Sequence, residues 1–280
     1  MSASTVRSRP DRCPGVLRPW PAYDGALVRI RLIGGRISAP ALSGLSAVAQ
    51  EYGDGHLHLT ARANLQLRAL PSSDGVLPDD VVAAIEATGL LPSRAHELGR
   101  NVMVSPLTGI TGGRADLRDR ALELDPRIRA STALADLPGR FLFVLDDGRG
   151  DLLGRETDLG LVALDETSCQ LRIGDDWGPV VALAEVPAAL VDLAEEFLSL
   201  RGDAAGAPWH VRELPEPLRQ ADPVDPAVPT AAPPLPFGRF PGGQHIEAPG
   251  GVLTPGLVAE LTAAAADLVV TPWHGVVVAG

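Results

Sequence analysis

Two stretches of this sequence run through the same features in the same order: LIGGRISAPALSGLSAVAQEYGDGHLHLTARANLQLRAL near the start and APGGVLTPGLVAELTAAAADLVVTPWHGVVVAG near the end. Each opens on a diglycine, enters a helix with a proline close to its start, and returns as a strand that reaches a threonine. Gly34-Gly35 aligns with Gly250-Gly251, and Thr60 with Thr271. Repeated supersecondary units constrain a fold strongly, because one copy can bury its apolar face against the other. The repeat predicts that the strand ending at Thr271 lies beside or opposite the strand ending at Thr60.

Local patterns fill in the elements. LVRIRLI alternates, with Val28, Ile30 and Leu32 on one face and Arg29 and Arg31 on the other, which predicts a strand. A helix is expected from Ala39 to Tyr52, with Ser38 as its cap and Pro40 in its first turn. His56 to Leu59 reads as a second strand continuing into TARANLQLR, and Asp79 to Thr88 as a short helix. GRNVMVSPLTG reads as a loop, Arg114 to Leu134 as one or two helices, and Gly139 to Leu145 as a strand. Leu159 to Val181 holds two or three strands of one sheet, and Pro187 to Arg201 an amphipathic helix with Leu190, Leu193, Ala194 and Phe197 on one side. Leu214 to Pro236 contains eight prolines, the composition of an extended linker.

Charge narrows the possible partners. The net charge of -11, from 35 acidic and 24 basic residues, gives no global field favouring nucleic acid or an anionic membrane, and no apolar run approaches the roughly 20 residues that span a bilayer. A cytoplasmic location is expected. Every basic residue is arginine, which offers a planar fork of donors for carboxylates and leaves no amine for Schiff-base chemistry. The two cysteines, Cys13 and Cys169, stand far apart, so neither a disulfide scaffold nor a paired thiolate metal site is expected.

Three places hold candidate ligand-binding groups. On an extended strand Arg62, Asn64, Gln66 and Arg68 would share one face as a row of donors; on spacing alone, the solvent side of an ordinary antiparallel strand presents the same row. Arg100 and Asn101 precede a Pro/Gly-bounded loop that could equally be a plain connection. Arg140 stands before the strand FLFVL. His56 and His58 alternate at a spacing found in metal sites, but no third ligand lies nearby in sequence, so no metal is assigned. Asp146-Asp147 and Asp175-Asp176 sit in glycine turns, where aspartate serves the backbone.

Taken as an ordered set, RCPGVLRPW, DGALVRIRLIGGRIS, LTARANLQLRAL, GRNVMVSPLTG, LPGRFLFVLDDG and VTPWHGVVV resemble the nitrite and sulfite reductase ferredoxin-like family, closest to its precorrin-3B synthase branch. The resemblance implies an α+β fold: duplicated ferredoxin-like half-domains around a central α+β domain of the nitrite/sulfite reductase type. It places a first half-domain at 1–75, a tetrapyrrole-type domain at 76–213, the linker at 214–236 and a second, incomplete half-domain at 237–280. It implies that Arg62, Asn64, Gln66, Arg100, Asn101 and Arg140 contact a tetrapyrrole and its anionic ligand. Reductases of the family carry a lysine where this chain has Leu142, which directs the expectation to an oxidoreductase performing oxygen-dependent hydroxylation of precorrin-3A in cobalamin synthesis. The alternatives are a non-catalytic tetrapyrrole-binding relative and a fragment of a nitrite or sulfite reductase. The family's cofactors are a four-iron four-sulfur cluster with iron or sirohaem. Its members continue past the TPW strand into four cluster cysteines, so truncation before that segment is expected, with the cluster absent or supplied by a separate chain. Family members also carry arginine after TPW, where this chain has His274.

Overall fold

The computed structural model describes residues 11–204 and 206–280. Among them lie five α-helices and three five-stranded sheets. The chain divides into two compact units, one of residues 14–97 with 234–280 and one of 98–233 with the residues up to Cys13. No helix of the described residues is long and apolar enough to cross a membrane.

The first half of the repeat supplies β1 (Trp20–Ala22), β2 (Gly25–Ile30), β3 (Arg36–Ser38), α1 (Ala39–Tyr52), β4 (Leu57–Leu59), β5 (Leu65–Leu70) and α2 (Asp79–Ala87). The intervening chain forms β6 (Val102–Val104), α3 (Arg118–Ala130), β7 (Phe143–Asp146), β8 (Leu159–Ala163), β9 (Ser168–Ile173), β10 (Asp176–Ala182) and α4 (Val186–Arg201). The second half supplies β11 (Gly238–Phe240), β12 (Gly243–Glu247), β13 (Val252–Leu253), α5 (Pro255–Ala264), β14 (Asp267–Val270) and β15 (Gly275–Ala279).

The repeat is present in the backbone. Gly34 and Gly35 have φ of 61° and 71°, and Gly250 and Gly251 have 63° and 74°. Two successive left-handed residues swing the chain out of the sheet it has just built, so that the next strand joins the other half. The sheets therefore run β1-β2-β5-β4-β13 and β11-β12-β15-β14-β3, each completed by a strand from the opposite copy. β4 and β14 occupy equivalent places in two different sheets and do not pair with each other, so the strand ending at Thr271 does not lie beside the strand ending at Thr60 as expected. Caps match as well: Ser38 Oγ accepts from Ala41 N–H at 3.4 Å and Thr254 Oγ1 from Leu257 N–H at 3.2 Å. Val28, Ile30, Leu42, Leu45, Val258 and Leu261 from both copies lie in one apolar core.

In the other unit the sheet order is β10-β9-β8-β7-β6, with β6, β7 and β8 parallel and the rest antiparallel. The expected amphipathic helix is α4, which buries Leu190, Leu193, Ala194 and Phe197. The Phe197 ring lies 5.0 Å from Phe141, and Phe141 5.2 Å from Phe143.

Several sequence expectations are corrected. β6 forms where a loop was expected, because a strand buried on both faces reads as a plain apolar run without alternation; Val102, Met103 and Val104 are all buried. The compact unit that holds the first half-domain extends to Glu97, with α2 burying Val81, Val82 and Ile85 in the shared core and Glu97 accepting Val16 and Leu17 N–H at 2.6 and 3.0 Å. The second half-domain shares a unit with the first, its strands β11 to β15 answering β1 to β5. The proline-rich stretch is extended but anchored, with Asp222 N–H on the Trp177 carbonyl at 2.8 Å, Asp225 N–H on Gln170 Oε1 at 2.8 Å and Ala232 N–H on the Gly150 carbonyl at 2.9 Å.

Candidate functional site

Arg62 is carried by a turn, not a strand. Thr60 Oγ1 accepts from the N–H of Arg62 at 3.3 Å and of Asn64 at 3.1 Å. The Thr60 N–H donates to the Asn64 carbonyl and its own carbonyl accepts from Ala63, both at 3.0 Å. A threonine hydroxyl that satisfies nearby amides competes with the strand ladder, and Ala63 takes a left-handed φ of 54°. The expected single row of Arg62, Asn64, Gln66 and Arg68 is therefore not formed. Asn64 is 1% exposed and its Oδ1 accepts Leu32 N–H at 2.9 Å, so it staples the turn to the end of β2.

Gln66 does lie on β5, opposite Arg29 of β2 and His58 of β4. These three make a polar row across the sheet face opposite the core. Arg68 pairs with Asp24 at 3.4 Å, and His58 Nε2 lies 2.7 Å from Asp54 Oδ2. His56 and His58 do not join a metal-ligand group: among the described residues such a group forms only at Asp146, Asp147 and Asp151.

The second copy repeats the turn with different side chains. Thr271 N–H donates to the Gly275 carbonyl at 2.9 Å, Trp273 N–H donates to Thr271 Oγ1 at 3.4 Å, and His274 has φ of 58°. Trp273 thus stands where Arg62 stands in the first copy, and His274 where Ala63 stands. The Asn64 side-chain bond is replaced by Ala248 N–H donating to the His274 carbonyl at 3.0 Å.

Arg100, Asn101 and Arg140 belong to the other unit. Arg100 is 5% exposed and its Nε donates to Asp125 Oδ1 at 2.5 Å; Asp125 also accepts from Arg129 at 3.1 Å. Asn101 is fully buried, and its Nδ2 donates to the carbonyls of Gly139 at 3.2 Å and Phe141 at 3.3 Å. Both side chains serve the unit's own structure, contrary to the expected ligand-facing pair. Those two carbonyls flank Arg140, which lies in a turn closed by Phe141 N–H on the Pro138 carbonyl at 2.9 Å. Gly139 N–H donates to Asp11 Oδ2 at 2.5 Å. Arg140 is exposed, and its guanidinium lies 5.4 Å from the Trp209 ring centroid.

The pattern is the same in each unit. An arginine rides on a tight turn, and a buried asparagine fastens the backbone of that turn. Sequence reasoning named the asparagines as donors to a ligand because amides and guanidiniums are both polar. It missed Thr60 as the organiser of the first turn, although a threonine before a short non-alternating run is the available signal. It also missed Trp209, which no spacing relates to Arg140.

The acidic group is organised by backbone. Asp146 accepts from the N–H of Gly148, Gly150 and Leu152, each at 2.9 Å, as the glycine turn implied. Arg149 Nη2 donates to Asp147 Oδ2 at 2.6 Å and Ser105 Oγ to Asp151 Oδ1 at 2.7 Å. Burial, and then the neighbouring charge of Asp146, push the Asp151 carboxyl up to about 7.

Ligands for a four-iron four-sulfur cluster are not found here. Such a cluster takes four thiolates, whereas Cys13 and Cys169 are both buried and burial pushes the Cys169 thiol up to about 12. The described residues do not fit that group. Leu142 is 3% exposed and packs with Met103, Val144 and Leu152.

Comparison with known proteins adds three findings. Residues 22–75 match the family described as the nitrite/sulfite reductase ferredoxin-like half domain. A protein named precorrin-3B synthase from Sinorhizobium sp is 32% identical over 148 residues, covering 52% of this chain and 31% of that protein. The structure of the Mycobacterium tuberculosis NirA protein superposes with a TM-score of 0.68 at 18% identity, covering 95% of this chain and 59% of NirA. At that identity the superposition establishes the fold. The chain spans about a third of the length of the first relative and less than two thirds of the second.

Proposed function

We propose, for a chain whose residues 22–75 match the nitrite/sulfite reductase ferredoxin-like half domain, that it binds a polycarboxylate tetrapyrrole and acts as an oxidoreductase of the precorrin-3B synthase type. The observation that carries this reading is the presentation of Arg62 on a turn rigidly held by Thr60 and Asn64 within the matched half-domain. A guanidinium offers two parallel donors to a carboxylate, and a turn fixed by its own hydrogen bonds loses little freedom when the ligand arrives. In the other unit, Arg140 is exposed on a turn whose carbonyls Asn101 holds. Gln66, in its row with Arg29 and His58, supplies neutral donors and acceptors in the matched half-domain.

The identity to a precorrin-3B synthase supports precorrin-3A as the substrate and oxygen-dependent hydroxylation as the reaction. Leu142 in the apolar core supports the same branch over oxyanion reduction, because stabilising a reducing oxyanion relies on cations at the site. In this reading the chain's own residues bind and orient the macrocycle's carboxylates, and the cluster belongs to a segment or chain other than the one described. A second reading, a relative that holds a tetrapyrrole without redox chemistry, draws on the cysteine inventory.

The test is an absorbance titration of anaerobically purified protein with precorrin-3A and with sirohaem, alongside assays for iron and acid-labile sulfide. Binding that weakens roughly tenfold or more in Arg62→Ala, the scale of one lost charge-assisted contact, is the expected result. Turnover of precorrin-3A in the presence of oxygen separates the enzyme from the binding relative. Absence of binding to either tetrapyrrole sinks both.

A further inference from the structure

We propose that Trp209 is a positioning residue for Arg140: the indole face holds the guanidinium in the orientation that meets a ligand carboxylate. This inference rests on the reading of Arg140 as a ligand-binding group, and it adds a residue from a distant segment to that site.

The geometry has three parts. First, the guanidinium carbon of Arg140 lies 5.4 Å from the Trp209 ring centroid, within the range where a cation is attracted to an indole face. An exposed arginine otherwise samples many rotamers, and ordering it on binding costs free energy. A ring that already holds the guanidinium lowers that cost.

Second, the backbone beneath Arg140 is fixed from both sides. Asn101 bonds the carbonyls of Gly139 and Phe141, and Asp11 accepts the Gly139 N–H. Trp209 faces the side chain borne on that fixed backbone.

Third, Trp209 sits on a latched segment. Its N–H and that of His210 donate to Glu213 Oε2 at 2.8 and 3.3 Å. Asp158, 2% exposed, accepts Val211 N–H at 2.9 Å, lies 3.1 Å from His210 Nδ1, and accepts Leu142 N–H at 2.9 Å. Leu142 is two residues past Arg140, so one buried carboxylate ties the segment bearing the indole to the chain that leaves the guanidinium's turn.

The test is a double-mutant cycle read by titration with uroporphyrin, an octacarboxylate porphyrin, and with its uncharged octamethyl ester as control. Arg140→Ala is expected to weaken uroporphyrin binding about tenfold and Trp209→Leu about two- to fivefold, with Trp209→Phe retaining most of the affinity. The decisive readout is coupling. In the Arg140→Ala background, Trp209→Leu is expected to have no further effect, and neither substitution should weaken binding of the ester. An undiminished effect of Trp209→Leu in the Arg140→Ala background overturns the positioning role while leaving Arg140 in the site. No effect of Arg140→Ala overturns the reading of Arg140, and Trp209's role with it. Melting curves of each variant separate loss of folding from loss of affinity, and Trp209→Phe keeps the test available if Trp209→Leu unfolds.

Discussion

Asn64 and Asn101 are buried, whereas Arg62 is half-buried and Arg140 exposed, and burial decides what each side chain does. A buried amide must satisfy its polar atoms inside the protein: Asn64 bonds Leu32 N–H at the end of β2, and Asn101 bonds the carbonyls that flank Arg140. Asn64→Ala and Asn101→Ala are each expected to destabilise by about 1–3 kcal/mol, the cost of leaving buried backbone groups unpaired, measured as a shift in urea unfolding midpoint. Asp151 makes a second prediction at this scale. Its carboxyl titrates near 7 in the folded protein against an ordinary value of 3.8, so between those values the folded state keeps a proton that the unfolded chain has released. Stability is expected to fall as pH rises from about 4 to about 7 and to level above that. Asp151→Asn, which keeps an acceptor for Ser105, should flatten that slope in thermal unfolding; a slope as steep as in the unaltered protein would show that Asp151 is not its source.

At the scale of elements, the two diglycines look alike in sequence and in φ, but their surroundings differ. A Cβ on Gly35 would lie 2.1 Å from the Val270 carbonyl oxygen, whereas one on its counterpart Gly251 would meet only the His274 ring, at 3.4 Å. Gly251→Ala should therefore cost little beyond the left-handed penalty of about 1–2 kcal/mol, and Gly35→Ala clearly more because β14 must move; equal unfolding midpoints for the two variants would contradict this expectation. Much at this scale was legible beforehand. The alternation of Val28 and Ile30, the Ser38 cap and the apolar stripe of α4 are local signals, and each became the element expected. The turn at Thr60–Asn64 was not legible as such, because choosing between a strand and a hydroxyl-closed turn depends on Leu32 arriving to bond Asn64. β6 was hidden for a similar reason: its three apolar residues acquire a partner only when β7 lies alongside. For the candidate site, the identity of Arg62 and Arg140 was readable, but the division of labour between them and the asparagines was not. Nothing in local spacing links Trp209 to Arg140, because that contact is purely tertiary.

For the molecule as a whole, the repeat matters because neither copy finishes its own sheet. β13 closes the first sheet beside β4, through Val252 and Leu253 opposite His58 and Leu57, and β3 closes the second beside β14, through Arg36, Ile37 and Ser38 opposite Val269, Leu268 and Asp267. The helices follow the same logic, with α1 and α5 packed together and their buried leucines in one core. A half-domain cut away from its partner would expose the edge of β4 and the apolar residues that now face Val258, Leu261 and Leu268, and a small domain has little stability to spare against such a loss. Residues 14–97 and 234–280, made separately, are therefore expected to lack cooperative unfolding, and to recover it on mixing as each strand finds the opposite sheet. Amide hydrogen exchange would read this directly, with protection of β4 and β14 appearing only in the mixture. A segment 14–97 that unfolds cooperatively by itself would mean that the exchanged strands decorate two finished domains. The dependence argued here instead makes strand exchange the reason why two sequence-distant copies fold as one unit.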